Sequence, residues 1–559
     1  MRNVMILLAC VLGSMRASSQ ATFTYFSYRG DDVRFASDYD TCRQTLNPIL
    51  AGFYPDPSIC RVGDTYYLVN STFAFFPGVP IFESKDLANW RQIGHVLNRE
   101  SQLPLGKQGV SGGIYAPDIK YNPRNKTFYM ITTNVGKGNF FVKTKDPHQG
   151  WSEPVYLPQI EGIDPSFFFD KDGRAFIVHN APVMGGSDYE GQCAIRILEF
   201  DVKGDSIIGM PRQIVRGGTH VEKAPIWIEG PHLYRIGKYY YLMCAEGGTG
   251  DRHSEVIFRA PVKSDIMEAS SWEECPWNPI LTQRDITQSD DGHGLQPADA
   301  VSSTGHADLI RTKQGDWYAV FLGCRPYEGD YYHTGRDTYL LPVSWRDGWP
   351  VILERGLRMP VLVNHPYGPK LEGTQAMTGN FSYTDYFREP ELGFRWVFLR
   401  NPSSFYRTGN GLTITPKAVS LMQKESPSAI FCRQQHTCFE AETEVNFTPH
   451  SASDVSGMVL FQNEAYHFVF GVTLLHGKKA LTLTRTEGTP LLVASASLNH
   501  AGSLRLKVVG RGRYYDFFYA ETEGDWQVLA RGVDAVHLST ARSGGFIGTF
   551  IGLYAASAP

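Results

Sequence analysis

Three acidic residues stand at matching places in a phrase that the sequence repeats. Asp56 and Asp164 each open an Asp-Pro-Ser motif, and Glu229 directly precedes Gly230-Pro231. Two carboxyl groups facing each other across a pocket can hydrolyse a glycosidic bond, since one protonates the departing oxygen while the other acts on water or the sugar. A third acid beside the proton donor raises the pKa of that donor by like-charge repulsion. A turn residue is the simpler explanation for any one of these acids, but three at equivalent positions favour a shared site.

The repeated phrase has the pattern of a β-hairpin. It consists of a turn, a short apolar strand, a turn with glycine or asparagine, and a second strand rich in aromatic residues. The five copies begin at 56–59, 116–119, 164–167, 230–233 and 306–309. Their spacing suits a four-stranded sheet with variable loops. Five such units in succession predict a five-bladed β-propeller over residues 45–355.

The alignment of these copies predicts which side chains meet. In a propeller, the turn before the first strand of every blade faces the same end of the central channel. The aligned position holds Asp56, Ala116, Asp164, Gly230 (with Glu229 immediately before it) and His306. We therefore expect the three acids, contributed by three different blades, to converge on one axial pocket.

Aromatic residues close to the converging turns are candidates for a sugar-stacking wall. They are Phe73, Phe75, Phe76 and Tyr115. The C–H faces of a sugar stack on aromatic rings, while its hydroxyl groups need polar or charged partners. Ordinary packing within the blades is the alternative for each of these rings.

The composition excludes several classes of partner and fold. The 559 residues include 53 lysines and arginines against 57 acids, so a net charge of −4 offers no basic surface for nucleic acid. Hydrophobic residues at 42% and charged residues at 20% exclude a disordered chain or a coiled coil. Aromatic residues at 13% and 55 glycines favour an all-β chain with many turns.

The character of the sequence changes after about residue 370, where the repeated phrase stops. A linker opens at Glu372, and alternating segments such as Phe439–Val445, Tyr466–Phe470 and Leu504–Val508 follow. Short strands at this spacing predict a β-sandwich over residues 372–559. The predicted fold class is therefore all-β, a five-bladed β-propeller followed by a β-sandwich. For the sandwich we favour packing against the propeller over carbohydrate binding.

The first residues predict an export signal. A positively charged start, an apolar stretch over Val4–Met15 and the small residues Ala17–Ser19 indicate a signal peptide over residues 1–19. A second interpretation is a lipoprotein signal, because Leu7–Cys10 resembles a lipobox that would place a lipid on Cys10. The short apolar core before this cysteine favours ordinary cleavage. We expect an exported protein, periplasmic or secreted, with no later membrane span.

The stretches around the three acids resemble glycoside hydrolase family 43, the five-bladed propeller β-xylosidases and α-L-arabinofuranosidases. The matching motifs lie in family order at Asn47–Ser58, Gly162–Ser166, Ile228–Leu233, Thr304–Leu309 and Gly335–Leu340. The C-terminal segment is similar to the concanavalin-like module of xylosidase-type members. In relatives with that module, one of its loops can close the pocket rim, which favours exo action on a terminal sugar.

The resemblance implies a role for each candidate residue. Asp56 would be the general base that activates water, Glu229 the general acid, and Asp164 the residue that tunes and orients the acid. The family is inverting, so the carboxyl groups of base and acid should be far enough apart to admit a water molecule. Arg336 would be a fixed cation that donates hydrogen bonds to sugar hydroxyls.

The resemblance implies no required cofactor, but it suggests a structural calcium or other ion on the propeller axis. His306 resembles the family histidine associated with that ion or with water. A histidine that only hydrogen-bonds within the channel is an equally good interpretation. Glu246–Thr249 and His253 resemble a further family stretch near the pocket, to which we assign no role.

Two residues depart from the family pattern. Tyr115 stands where many relatives carry tryptophan, and Asp337 stands where glutamate is usual. Neither changes the three acids, although both bear on sugar preference. The expected activity is removal of terminal α-L-arabinofuranosyl or β-D-xylosyl residues from hemicellulose oligo- or polysaccharides.

Two other functions are weighed against this one. A non-catalytic carbohydrate-binding propeller is disfavoured because all three acids are present. A sialidase-type propeller is disfavoured because repeated Ser-x-Asp-x-Gly-x-Thr-Trp motifs are not evident. The similar turn motifs Ser84-x-Asp86 and Thr144-x-Asp146 lack that glycine.

Overall fold

The computed structural model describes residues 20–36, 38–287, 300–499, 502–521 and 525–557, so the predicted signal segment 1–19 lies outside it. Within these ranges the chain is all-β, as its composition predicts. The helical elements are a four-residue α-helix and five 3-10 turns, at Thr540–Ser543 and at Val33–Phe35, Pro147–Gln149, Val221–Lys223, Ala269–Ser271 and Val536–Leu538. A helix long and apolar enough to cross a membrane is not found in the described part of the chain.

Five antiparallel sheets follow one another between residues 58 and 342, and we number them I to V in chain order. Sheet I contains Ser58–Val62, Thr65–Val69, Gly78–Ser84 and Arg91–Leu97, and sheet II contains Asp118–Asn122, Thr127–Asn134, Gly138–Thr144 and Val155–Tyr156. Sheet III contains Ser166–Phe169, Ala175–Pro182, Cys193–Asp201 and Ser206–Arg216. Sheet IV contains Glu229–Ile236, Tyr239–Glu246, Ser254–Pro261 and Glu273–Glu274, with Leu281–Thr282 beside its third strand. Sheet V contains Ser302–Arg311, Trp317–Cys324 and Arg336–Pro342.

The first strands of the five sheets contact one another in a ring. The first strand of each sheet contacts the first strand of the next, and the first strand of sheet V contacts that of sheet I. Each pair of neighbouring sheets also shares a hydrophobic core, as Leu68 and Val320 do between sheets I and V. Equivalent cores lie between I and II, II and III, III and IV, and IV and V. Burial of both faces explains why these strands are rich in aliphatic and aromatic residues.

Two further sheets, A and B, pack across one large core. Sheet A runs in the order Tyr406–Arg407, Leu412–Ile414, Ala21–Gly30, Cys438–Asn446, Leu504–Arg511, Tyr514–Ala520 and Gln527–Asp534, with Ser382–Asp385 also paired to Ala21–Gly30. Sheet B runs in the order Ala429–Arg433, Phe550–Ala556, Val455–Asn463, Tyr466–Leu475, Lys478–Glu487 and Thr489–Ser497. Strand Ala21–Gly30, which the sequence did not assign to either region, thus lies within sheet A.

The remaining strands form three short two-stranded sheets. They join Gln44–Leu46 to Leu362–Asn364, Ser344–Arg346 to Trp349–Val351, and Phe75–Phe76 to Phe398–Leu399.

A buried ionic network joins sheet V to the A/B unit. The Arg325 guanidinium is fully buried and donates to both oxygens of Asp337, at 2.8 and 3.0 Å. It also donates to Asp32 Oδ2 at 3.1 Å and to the carbonyl oxygen of Gln435 at 2.8 Å. Asp337, the residue that departs from the family pattern, is therefore the acidic partner of a cation at this junction.

We predict that Arg325→Ala destabilises the protein by about 3–5 kcal/mol, because it leaves the buried Asp337 carboxylate without its cation. The midpoint of urea unfolding, followed by tryptophan fluorescence, measures the change. Arg346→Ala is the matched control: Arg346 pairs with Glu354 in an exposed ion pair, whose loss is worth less than about 1 kcal/mol. Equal unfolding midpoints for the two variants would contradict the prediction.

Candidate active site

One pocket brings together the three acids, Arg336, His306 and two of the predicted wall residues, Phe73 and Tyr115. It is lined by Asp56, Phe73, Tyr115, Ala116, Ile163, Asp164, Glu229, Thr249, His306, Arg336 and Phe546. Its cavity volume is about 90 Å³. The three acids enter it from the turns or first residues of sheets I, III and IV, as the alignment of the repeat predicts.

A shared backbone conformation explains this convergence. Asp56, Asp164, Gly230 and His306 occupy equivalent positions of the repeat, and all are left-handed, with φ between 50 and 55°. A non-glycine residue in this region is strained by about 1–2 kcal/mol, and such strain clusters at functional sites. Glu229 lies one residue before the left-handed position of its own sheet. Four of the five aligned turns thus share one conformation, and Ala116 is the exception.

Asp56 is buried against a cation and a hydroxyl group. Its Oδ1 atom accepts a hydrogen bond from Arg336 Nη1 at 2.6 Å, and its Oδ2 atom accepts one from Ser71 Oγ at 2.5 Å. Burial alone would raise the pKa of this carboxyl group. The charges of Arg336 and His306 and the Ser71 hydrogen bond outweigh burial, so the pKa of Asp56 falls below its ordinary value. Asp56 is therefore held as a carboxylate.

Asp164 and His306 form a second charged pair. Asp164 Oδ2 lies 3.5 Å from His306 Nε2 and accepts a hydrogen bond from the Gly230 N–H at 3.2 Å. Burial lowers the pKa of His306, but the contact with Asp164 and the negative charges of Asp56 and Glu229 raise it to about 9. The imidazole is consequently a cation at neutral pH. Its Nδ1 atom is buried without a hydrogen-bond partner among the described residues.

Glu229 differs from the other two acids because no cation pairs with it among the residues that the structure describes. Glu229 as a whole residue is half-buried and lines the pocket. Burial and the nearby Asp164 carboxylate raise the pKa of Glu229 to about 8, against the opposing charges of His306 and Arg336. Glu229 therefore retains its proton at neutral pH.

The aromatic wall contains one residue that the sequence analysis missed. Phe546 stacks on Phe73 with ring centroids 5.9 Å apart and meets Tyr115 edge-on at 5.9 Å. Its carbonyl oxygen accepts a hydrogen bond from Arg336 Nη2 at 3.3 Å, and this guanidinium lies 5.6 Å from the Phe73 ring centroid. Phe546 lies in the loop that precedes strand Phe550–Ala556. The preceding pair Gly544-Gly545, both with positive φ, is the signal that marks a loop here.

Two other predicted wall residues do not reach the pocket. Phe75 stacks on Phe550 at 4.0 Å, and Phe76 pairs with Phe398 in a short two-stranded sheet. Both rings pack where sheet I meets the A/B unit, so ordinary packing is the correct interpretation for them.

The residues of the further family stretch, Glu246–Thr249 and His253, lie in different surroundings. Thr249 lines the pocket, whereas Glu246 accepts hydrogen bonds from the N–H and hydroxyl group of Thr219. His253 is buried, its Nδ1 atom bonds to the Ser303 carbonyl oxygen at 2.8 Å, and burial lowers its pKa to about 3. His253 is thus a neutral structural histidine.

Three buried residues are candidate ligands for the ion that the family resemblance suggests. Asp118, His232 and Asp308 place ligand atoms within 4.8 Å of one another. The Lys120 ammonium lies 3.0 Å from Asp118 Oδ1 and 2.7 Å from Asp308 Oδ2, so it already supplies a cation to both acids. These residues do not fit a divalent ion without displacement of Lys120, and His306 is not part of the cluster.

An ionised carboxylate and a protonated carboxyl group facing one aromatic-walled pocket are the groups that glycoside hydrolysis needs. A family model described as "Glycosyl hydrolases family 43" matches residues 45–350, and one described as "Beta xylosidase C-terminal Concanavalin A-like domain" matches residues 384–559. The chain belongs to glycosyl hydrolase family 43.

Individual relatives match along nearly the whole chain. A xylosidase/arabinosidase of Butyrivibrio fibrisolvens is 39% identical over 522 residues, which are 91% of this chain and 95% of that protein. A non-reducing end α-L-arabinofuranosidase of Bacteroides ovatus is 34% identical, over 91% of this chain and 90% of that one. The crystal structure of a GH43_12 retrieved from a capybara gut metagenome is 41% identical with a TM-score of 0.88, covering 96% of this chain and 100% of that chain.

We predict that Asp164→Asn lowers the pKa of His306 from about 9, because the imidazolium loses the carboxylate beside it. NMR titration of protein labelled with ¹³C-histidine measures this pKa, and His306→Gln assigns the resonance. His253 is the internal control, since it stays neutral down to about pH 3 in both proteins. A His306 signal that titrates near 6.5 in the wild type, or that Asp164→Asn leaves unmoved, would contradict the electrostatic account.

Proposed function

We propose that this glycosidase removes terminal α-L-arabinofuranosyl or β-D-xylosyl residues from hemicellulose-derived oligo- and polysaccharides with inversion of configuration. One observation carries the proposal. Two carboxyl groups in the same pocket have opposite pKa shifts, Asp56 below its ordinary value and Glu229 at about 8. Opposite shifts of this kind assign a base and an acid at neutral pH.

We also propose that sheets I to V form a five-bladed β-propeller over residues 45–355. The ring of first-strand contacts and the hydrophobic core between each pair of neighbouring sheets support this architecture. We propose a β-sandwich over residues 372–559, completed by strand Ala21–Gly30 in sheet A.

The sequence of residues 1–19 supports export to the periplasm or the medium, with lipidation at Cys10 as the second interpretation.

In the proposed mechanism Asp56 is the base. A water molecule between Asp56 and the anomeric carbon gives a proton to the carboxylate as its oxygen bonds to that carbon. The hydrogen bonds from Arg336 and Ser71 orient the carboxylate. These hydrogen bonds also keep the Asp56 carboxylate ionised, although they make it a weaker base.

Glu229 is the proposed acid. It gives its proton to the glycosidic oxygen as the bond to the anomeric carbon breaks, and the leaving sugar departs as an alcohol. Asp164 acts through its charge, which keeps Glu229 protonated, and through its hydrogen bond from the Gly230 N–H, which holds the turn next to the acid. His306 balances the negative charge of Asp164.

The pocket walls support action on one terminal sugar. Phe73, Tyr115 and Phe546 present aromatic surface, and Arg336 presents guanidinium N–H groups, which suits the C–H face and the hydroxyl groups of a pentose. Phe546 comes from the A/B unit and lines the pocket against Phe73 and Tyr115.

We predict that Glu229→Gln lowers kcat about 10²–10⁴-fold on xylo- and arabino-oligosaccharides, because the departing oxygen then receives no proton. The loss should be smaller on nitrophenyl α-L-arabinofuranoside and β-D-xylopyranoside, whose leaving group needs less protonation.

In the wild type, kcat/KM should fall above about pH 8 as Glu229 loses its proton. Asp164→Asn should move this fall to lower pH, since removing the neighbouring negative charge lowers the pKa of Glu229.

Glu268→Gln is the control for these assays, because Glu268 is an exposed acid outside the pocket. Rates on both nitrophenyl glycosides and on the oligosaccharides identify the preferred pentose in the same experiment. Undiminished oligosaccharide hydrolysis by Glu229→Gln would remove Glu229 as the acid.

We predict that the first-formed product has the inverted anomeric configuration. Proton NMR of the reaction, read before mutarotation, gives the configuration of the released sugar. An inverted product is expected when Asp56 activates a water molecule on the face opposite the leaving group. Release of a retained anomer would show that a carboxylate attacks the sugar directly and would remove Asp56 as a water-activating base.

A further inference from the structure

A second cavity of about 320 Å³ lies beside the active pocket and is rich in cationic side chains. Lys223, Arg252, Arg284 and Arg355 line it, together with the acids Glu246 and Asp285. All of these residues belong to the described part of the chain.

Two short segments form the wall between this cationic cavity and the active pocket. In the first segment, Pro225 and Ile226 line the cavity, while Glu229, three residues further on, lines the active pocket. In the second, Gly247 lines the cavity and Thr249 lines the active pocket. The Gly247 N–H donates to the Ile226 carbonyl oxygen at 2.9 Å and joins the two segments. The cavity therefore lies on the side of the active pocket occupied by the proposed acid, where the leaving group departs.

The charges that line the cavity are not balanced. Arg355 pairs with Asp285 at 2.6 Å, and Arg284 Nη1 donates to the Arg252 carbonyl oxygen at 2.9 Å. The Glu246 carboxyl group accepts hydrogen bonds from the N–H and hydroxyl group of Thr219, and burial raises its pKa. Lys223 and Arg252 are exposed, and neither forms an ion pair with an acid among the described residues. Two cations thus remain available to an anionic ligand.

An exposed tryptophan lies between the two cavities. The Trp227 side chain is 49% exposed, although tryptophan is usually largely buried. Its ring packs over Gly248, where an added Cβ would lie 2.5 Å from the indole, and Gly248 stands between Gly247 and Thr249. Trp227 also has a left-handed backbone, with φ of 50°. A strained, exposed aromatic residue two positions before the proposed acid indicates a ligand-binding surface.

We propose that Trp227, Lys223 and Arg252 form a leaving-group subsite for an acidic sugar unit. A sugar bonded to the terminal pentose stacks on the Trp227 ring, and a carboxylate on that unit or on its substituent binds the two cations. The substrates thus favoured are hemicellulose fragments that carry uronic acid next to the cleaved bond. This inference rests on the proposed function, because it places the leaving group on the Glu229 side.

The test compares one acidic oligosaccharide, with uronic acid on the unit bonded to the terminal pentose, with the same compound after reduction of its carboxyl group to an alcohol. For the wild type at low ionic strength we expect kcat/KM to be about fivefold higher on the acidic form, as two exposed charge pairs would give. This preference should disappear in K223Q/R252Q and should weaken at high salt. Lys238→Gln, an exposed lysine at the far turn of sheet IV, is the matched charge control and should keep the preference.

Trp227→Ala should raise KM on both oligosaccharides, whereas Trp227→Phe should restore most of the loss. Equal kcat/KM of the wild type on the acidic and reduced forms, or a preference that survives in K223Q/R252Q, would overturn the proposal. Inhibition by inorganic phosphate without any preference for the acidic substrate would also overturn it, since the cations would then hold only free anions. Failure of the wild type to hydrolyse nitrophenyl glycosides would instead contradict the proposed function.

Discussion

The pocket depends on one electrostatic constraint, the presence of three carboxyl groups in a small volume from which most water is excluded. Like charges in such a volume cannot all be ionised without nearby cations. Arg336 contacts Asp56 and His306 lies beside Asp164, but neither forms an ion pair with Glu229. Nearby cations therefore compensate the charges of Asp56 and Asp164 but not that of Glu229. The position of two cations, rather than any difference between aspartate and glutamate, separates the pKa values of the proposed base and acid.

This charge arrangement requires that the five sheets keep their relative positions. A polar network beneath the pocket ties their first strands together: Asp308 of sheet V accepts hydrogen bonds from Ser58 Oγ of sheet I at 2.8 Å and Tyr234 OH of sheet IV at 2.6 Å. Asp118 of sheet II accepts from the Phe167 N–H of sheet III at 2.9 Å. The Lys120 ammonium between the two aspartates balances their charge. Every sheet thus contributes to one buried network, and the pocket rests on it.

The A/B unit takes part in the same site. Phe546 supplies aromatic wall and an acceptor for Arg336, so a loop outside the five sheets helps to position the cation that controls Asp56. Arg433 of sheet B donates to the Phe53 carbonyl oxygen at 2.7 Å, three residues before Asp56. Together with the Arg325 network, these contacts make the A/B unit a structural support of the pocket. They favour the packing role expected for this unit over an independent carbohydrate-binding role.

The repeat explains what could be predicted from the sequence. Because the turns before the first strands are equivalent, aligning them was enough to predict that Asp56, Asp164, Glu229 and His306 meet. Phe546 could not be found in this way because it lies outside the repeat, and Trp227 could not because no other copy carries tryptophan at the equivalent position. Phe75 was wrongly included because proximity in sequence to a converging turn does not determine on which side of a sheet a ring packs. The proposed catalytic centre follows from the symmetry of the repeat, whereas the surfaces proposed to select the substrate come from the elements that break this symmetry.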